Sequence, residues 1–159
     1  MKLAIRGIRS RAVAAPMKRP LAVSTGKLSS SALLLLDLET DAGITGRAYL
    51  WTPGQAHLKP LAALVEAMAQ MLEGDAVAPF DIERKLRARY TLLGVHNIVL
   101  FAMSGIDMAA WDALGQALGQ PVARLLGATP RPIPAYNSKG LGLLPVNELA
   151  KEAAELVQE

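Results

Sequence analysis

Asn97-Ile98-Val99-Leu100-Phe101-Ala102-Met103-Ser104-Gly105-Ile106-Asp107-Met108-Ala109-Ala110-Trp111-Asp112-Ala113-Leu114-Gly115-Gln116-Ala117-Leu118 is the longest helical pattern in the chain. Ile98, Phe101, Ala102, Gly105, Ile106, Ala109 and Ala113 recur at spacings of three and four and so line one face, while Met103, Trp111 and Leu114 cover a neighbouring one. A helix this apolar is predicted to be buried on most sides. Ala102, Gly105 and Ala109 project almost nothing, which predicts close approach of another element. Asp107 falls one turn before Trp111, and a carboxylate on a buried helix needs partners, so a structural hydrogen bond is expected there. Asp112 lies roughly 140° further around the helix, too far for the two carboxylates to converge on one substrate atom as acid and base.

Ahead of this helix the period changes twice. Leu58, Leu61, Leu64, Val65, Met68, Met71 and Leu72 mark a helix over 55–72 with Gly74 as its cap, and Asp81 to Tyr90 marks a short second one after Pro79. Earlier still the alternation is that of strands: 2–14, 32–39 and 44–51, the last two joined by Thr40-Asp41-Ala42-Gly43. Pro16 and Pro20 are expected to end the first strand, leaving 16–31 as a loop. Behind Pro121 come a turn of helix to Leu126, a Gly127-Ala128-Thr129-Pro130 linker with a domain boundary at 127–132, a strand candidate Ile133-Pro134-Ala135-Tyr136-Asn137 and a helix from about Asn147. A strand followed by a helix is half of a βαβ unit with no second strand behind it, and the helix stops at Glu159 without a cap, so the sequence reads as a cut chain.

Composition narrows the chemistry. Of 159 residues 52% are hydrophobic and 19% charged, which describes a folded globular chain. The absence of cysteine excludes disulfides, thiolate metal sites and cysteine nucleophiles, and the two histidines, His57 and His96, stand far apart without ligand spacing. His96 beside Asn97 is expected to be a structural residue at a helix start. The longest uninterrupted apolar run is the six residues Ile98 to Met103, with Ala32 to Leu36 shorter still, so no bilayer span and no membrane partner are expected, and a cytoplasmic location is. Residues 1–60 carry nine Lys or Arg against three acids. With aromatics at 4% there is no platform for stacking bases, and a basic-faced first strand is expected rather than a nucleic-acid arm. Gly26-Lys27 is no phosphate loop, since Leu21 and Leu28 occupy the required Gly and Ser/Thr positions, and Pro145 breaks the dinucleotide pattern begun by Gly140 and Gly142. Asp37, Glu39 and Asp41 share a strand face, read as a solvated face rather than a cation site. Ser138, past a strand end, stands where α/β proteins put ligand-facing hydroxyls.

The run Gly105 to Gly115, followed by Pro121 and Leu125-Leu126-Gly127, resembles the last long helix of the N-terminal capping domain in the mandelate racemase and muconate lactonizing enzyme family, within the enolase superfamily. The resemblance extends along the chain through the basic first strand, Asp37-Leu38-Glu39-Thr40 with its Gly43 to Gly46 hairpin, and Ala135-Tyr136-Asn137-Ser138. It implies an α+β capping domain over 1–126, a three-stranded antiparallel meander plus a helical bundle, then a 127–132 linker and, over 133–159, the first strand and helix of a truncated (β/α)8 barrel. It further implies an enzyme that removes the proton beside a substrate carboxylate with the help of Mg2+, as a racemase or acid-sugar dehydratase and as a homo-oligomer when complete. No catalytic or metal-binding residue is then expected within this chain, which alone should bind no Mg2+ and turn nothing over. The resemblance also implies that 16–31 is a flap closing over substrate, with Leu21, Val23 and Leu28 as its apolar wall, Thr25 as a polar contact and Ser138 at the ligand's polar end. Pro53 replaces a tyrosine and Lys139 a histidine of the family's mandelate racemases, which leaves mandelate itself in doubt. The competing reading is a stand-alone, non-catalytic binding or oligomerisation module.

Overall fold

The computed structural model describes residues 3–23, 26–135 and 145–158. It contains strands β1 (Ile5–Val23), β2 (Gly26–Thr40) and β3 (Thr45–Thr52), then helices α1 (Leu58–Leu72), α2 (Pro79–Arg89), α3 (Asn97–Leu118), α4 (Val122–Leu125) and α5 (Val146–Gln158). The sheet order is β1-β2-β3, an α+β arrangement with the meander at one end of the sequence and the helices after it. By contacts the chain divides into two compact units, Met1–Ala14 with Ala32–Pro130, and Ala15–Ser31 with Arg131–Glu159.

In the first unit β2 and β3 pair antiparallel from Ala32↔Thr52 to Glu39↔Thr45. Alternation turns Leu34, Leu36 and Leu38 of β2 and Leu50 of β3 inward, all essentially fully buried. The turn between the strands closes on Thr40, whose Oγ donates to Ile44 O at 2.8 Å and accepts from Ile44 N–H at 3.1 Å, while Gly43 takes φ 76°. The conformation is one that glycine adopts without steric penalty. Asp41 within the turn fastens the start of β1: its carboxylate accepts from Ala4 N–H at 2.9 Å, and its own N–H donates to Ala4 O.

The helical layer is centred on α3, which packs on β3, α1 and α2. The close approach read from its small residues is present and two-sided. A Cβ on Gly46 of β3 would collide with Ala109 O and lie 2.8 Å from Ala113 Cβ, and one on Gly105 would lie 2.9 Å from Leu50 Cδ1. Gly119 (φ 61°) ends α3, with the N–H groups of Gly119 and Gln120 returning to Gln116 O and Gly115 O. Ile98, Leu100, Phe101 and Met108 keep between 37 and 45% of their surface, so α3 is less enclosed than its composition predicts. Contrary to the expectation that nothing here is span-length, its 22 residues are long and apolar enough to cross a bilayer, but half of the apolar stretch is buried in the core.

Three other expectations are corrected. Residues 16–23 and 26–31 are strand, not loop, because β1 is an edge strand. Pro16 and Pro20 are four apart, so their missing N–H groups fall on one side of β1, and an edge strand has one side on which no donor is needed. Gly74 (φ 82°) does not cap α1: the helix ends at Leu72, and Gly74 N–H donates to Ile5 O, turning the chain onto the start of β1. The end of α1 is held instead by Asp75 N–H on Leu72 O and by Lys85 Nζ, which donates to Met71 O at 2.7 Å and pairs with Asp75 at 2.6 Å. Residues 133–135 of the strand candidate carry no strand pairing, and Tyr136 and Asn137 lie outside the described residues. In the second unit α5 begins one residue before its expected start.

Candidate functional site

Pro53, the one sequence-predicted contact in the first unit, sits where β3 ends and the chain turns into α1 through the 3-10 turn Gln55–His57. The turn is tied by Thr52 Oγ, which donates to Gly54 O at 3.0 Å, and by His57 Nδ1, 3.0 Å from the same carbonyl. A carbonyl oxygen only accepts, so that contact needs a proton on Nδ1. Beside Pro53 opens a cavity of about 800 Å³ whose walls include His57, Leu61, Ile98, Leu100 and Phe101, with Asn97 and Ser104 at the start of α3. Asn97 is the one non-glycine residue among those described with positive φ (49°). The lining is apolar apart from imidazole, amide and hydroxyl groups, so the cavity suits an apolar group with one polar end rather than a polyol, whose hydroxyls would lose their partners.

Leu21 and Leu28 are half-buried on the far arm of the β1–β2 hairpin, in the second unit; of Val23 only the backbone is described. Thr25, Ser138 and Lys139 lie outside the described residues. Periodicity could not have found the other walls of the Pro53 cavity, His57, Asn97, Ile98 and Phe101. They meet only because α3 starts beside the end of β3, a tertiary fact with no signature in local spacing.

The carboxylates are committed elsewhere. Glu39 pairs with Arg6 (3.3 Å) and Arg9, and Asp37 with Arg47 (3.5 Å), so these carboxylates are neutralised across strands. Asp112 Oδ2 accepts from Arg47 N–H at 2.8 Å and from Gln116 Nε2 at 2.7 Å, and Gln116 also donates to Thr45 O at 3.0 Å. These two α3 side chains thus occupy the outer edge of β3 where another strand would pair. Asp107 faces a cavity of about 160 Å³ together with Glu83 and Ser104. Burial raises its carboxyl above the ordinary value, a hydrogen bond from Trp111 lowers it, and the charge of Glu83 adds a further upward push. Among the described residues no group of three His, Asp or Glu side chains could hold a metal ion. The donor set here does not fit a magnesium site, and no step is derived through one.

Comparison with known proteins places this geometry. Residues 5–127 match the family described as mandelate racemase / muconate lactonizing enzyme, N-terminal domain. The chain belongs to this family. Its capping domain is similar to the enolase from Bradyrhizobium complexed with magnesium and mandelic acid, 48% identical with a TM-score of 0.81 over 86% of this chain and 38% of that one. It is also similar to an enolase from alpha proteobacterium bal199 with bound magnesium, 38% identical with a TM-score of 0.91 over 97% of this chain and 42% of that one. The D-galactonate dehydratase of Xanthomonas campestris pv. campestris (strain B100) is 39% identical over 103 residues, 62% of this chain and 25% of that protein. The chain thus spans between a quarter and about two-fifths of the length of these relatives.

Proposed function

We propose that the chain is the N-terminal, substrate-capping part of a Mg2+-dependent enzyme of the enolase superfamily that removes the proton α to a carboxylate, as a racemase or an acid-sugar dehydratase. In this reading residues 1–126 form the cap, 127–132 a linker and 133–159 the start of a (β/α)8 barrel, and the enzyme works in the cytoplasm as a homo-oligomer. The observation that carries it is the match of residues 5–127 to the family's capping domain. Support for a carboxylate ligand comes from the 48% identical Bradyrhizobium protein, whose structure holds mandelic acid.

The cap's own contribution is specificity and water exclusion. Leu21, Val23, Thr25, Leu28, Pro53, Ser138 and Lys139 are each assigned a contact with substrate. An apolar cover over a reacting carboxylate removes competing water and strengthens the electrostatics that stabilise the developing negative charge. Pro53 offers no hydroxyl in place of a tyrosine, and Lys139 adds a charge that favours a more acidic substrate. When bound, magnesium would neutralise charge on the carboxylate oxygens, and that chemistry is assigned to the complete enzyme rather than to these residues.

The test is to take the polypeptide as its source cell makes it, measure its intact mass, and follow α-proton exchange in D2O by NMR over aryl hydroxy acids and acid sugars. Mg2+-dependent exchange, weakened at the level of KM by Leu21→Arg, is the expected result. A mass near 16.9 kDa with no exchange on any acid would overturn the enzyme reading in favour of a binding module.

A further inference from the structure

The sheet face turned away from the helices carries two ordered columns. On β3 they run Arg47, Tyr49, Trp51, and opposite them in register on β2 stand Asp37, Leu35 and Leu33. Tyr49 keeps 63% of its surface and Trp51 46%, two large aromatic rings lying open in a chain with seven aromatic residues. A shallow groove of about 740 Å³ on this face is lined by Arg9, Arg11, Leu35, Asp37, Arg47 and Tyr49. Exposed apolar area of this kind, flanked by charge, is the composition of a contact surface rather than of a solvated one.

The order of the residues selects the partner. A symmetric dimer needs a surface complementary to itself, in which residue i meets j and j meets i. We propose that this face joins two copies of the chain across a two-fold axis lying along the strands, between β2 and β3. That axis lays β3 of one copy over β2 of the other. Arg47 then faces Asp37 of the second copy, Tyr49 covers its Leu35 and Trp51 its Leu33, and every contact occurs twice. The pairing that already exists within one sheet, Arg47 with Asp37 at 3.5 Å, shows the charges to be matched in sign and level along the strands. Apolar residues gather at one end of both columns and charges at the other, so no charge is laid on an apolar side chain. Only two strands of each copy meet, a contact smaller than a standard interface, and the association is therefore a weak one. The inference rests on the reading of the chain as one that self-associates, and not on its catalytic chemistry.

Sedimentation equilibrium on the 159-residue chain, from low to high micromolar, tests it together with two charge variants. The wild type should rise from 16.9 kDa towards twice that mass. Arg47→Asp and Asp37→Arg should each stay monomeric, because in each a like charge is placed over a like charge. Mixed in equal amounts they should associate again, a recovery that no defect within one chain can produce. Tyr49→Lys, at a position too exposed to disturb the fold, should weaken association at least tenfold and carries the test if a charge variant does not fold. If the wild type associates while Tyr49→Lys and each charge variant taken alone behave like it, the face is wrong and self-association stands. A wild type that remains at monomer mass throughout overturns both.

Discussion

Replacing Gly46 by alanine asks how rigid the contact between β3 and α3 is. The new Cβ would collide with Ala109 O and stand 2.8 Å from both Ala113 N and Ala113 Cβ. Two of these three atoms are backbone in the middle of a 22-residue helix, so the strand has to move and the obstacle cannot. Overpacking of this kind costs about 1–3 kcal/mol, and with rigid neighbours the upper half applies. The loss of backbone freedom in the unfolded chain returns about 0.5 kcal/mol, leaving a net destabilisation of about 2 kcal/mol. For a chain of this length that lowers the melting temperature by about 4–8 °C. Gly105→Ala is the control: its Cβ meets side-chain atoms alone, Leu50 Cδ1 at 2.9 Å, Leu50 Cγ at 3.0 Å and Leu36 Cδ2 at 3.2 Å, and no backbone. Helix propensity favours that substitution by about 1 kcal/mol, so its net effect should stay within about 1 kcal/mol of zero. Urea unfolding followed by circular dichroism, with equal m-values required, measures both. The argument fails if Gly46→Ala is within about 0.5 kcal/mol of the parent, or if Gly105→Ala costs more. A strand displaced at Gly46 also strains the neighbouring bond from Arg47 N–H to Asp112, so Asp112→Ala should cost less in the Gly46→Ala background than alone.

Three further outcomes are expected. Burial holds Asp107 above its ordinary value of 3.8, so the folded chain binds that proton more tightly than the unfolded one; the resulting stabilisation is full below the ordinary value and is lost as pH rises through the folded value. Asp107→Asn should therefore be at least as stable as the parent at pH 7, and the difference between them should close on acidification, as read from urea midpoints at the two pH values. Lys85→Met removes both the bond to Met71 O and the pair with Asp75, and should lower stability by about 1 kcal/mol, partly recovered in the parent's difference at high salt. Mg2+ added to this chain should leave its melting temperature unchanged; a saturable upward shift would show a metal site that the described carboxylates do not form.

Legibility followed the range of the interaction involved. The extent of α3 was readable because its periodicity is a local signal. The same holds for the turn at Thr40 to Gly43, and the small residues of α3 announced a close neighbour though not which one. The hairpin arms were misread because proline is judged locally, whereas its tolerance depends on whether its strand lies at the sheet's edge. Gly74 was misread for a similar reason: its donor serves β1, a partner far away in sequence. The Pro53 cavity and the hold of Asp112 and Gln116 on β3 arise only when α3 comes to rest on the sheet, and no spacing along the chain encodes them.

The grip of Asp112 and Gln116 on Arg47 N–H and Thr45 O bears on how this protein behaves in a test tube over weeks. Residues 32–36 are a continuous apolar segment of the sort that templates fibrils once a free strand edge lets another molecule extend the ladder. On the β3 side that edge is already occupied by side chains that cannot propagate the pattern. At the start of β1 the segment 74–77 does the same through Gly74 and Val77. Shelf life is then governed by one helix staying in place, and removing the Asp112 carboxylate would shorten the lag before thioflavin-positive aggregates form well before it unfolds the chain.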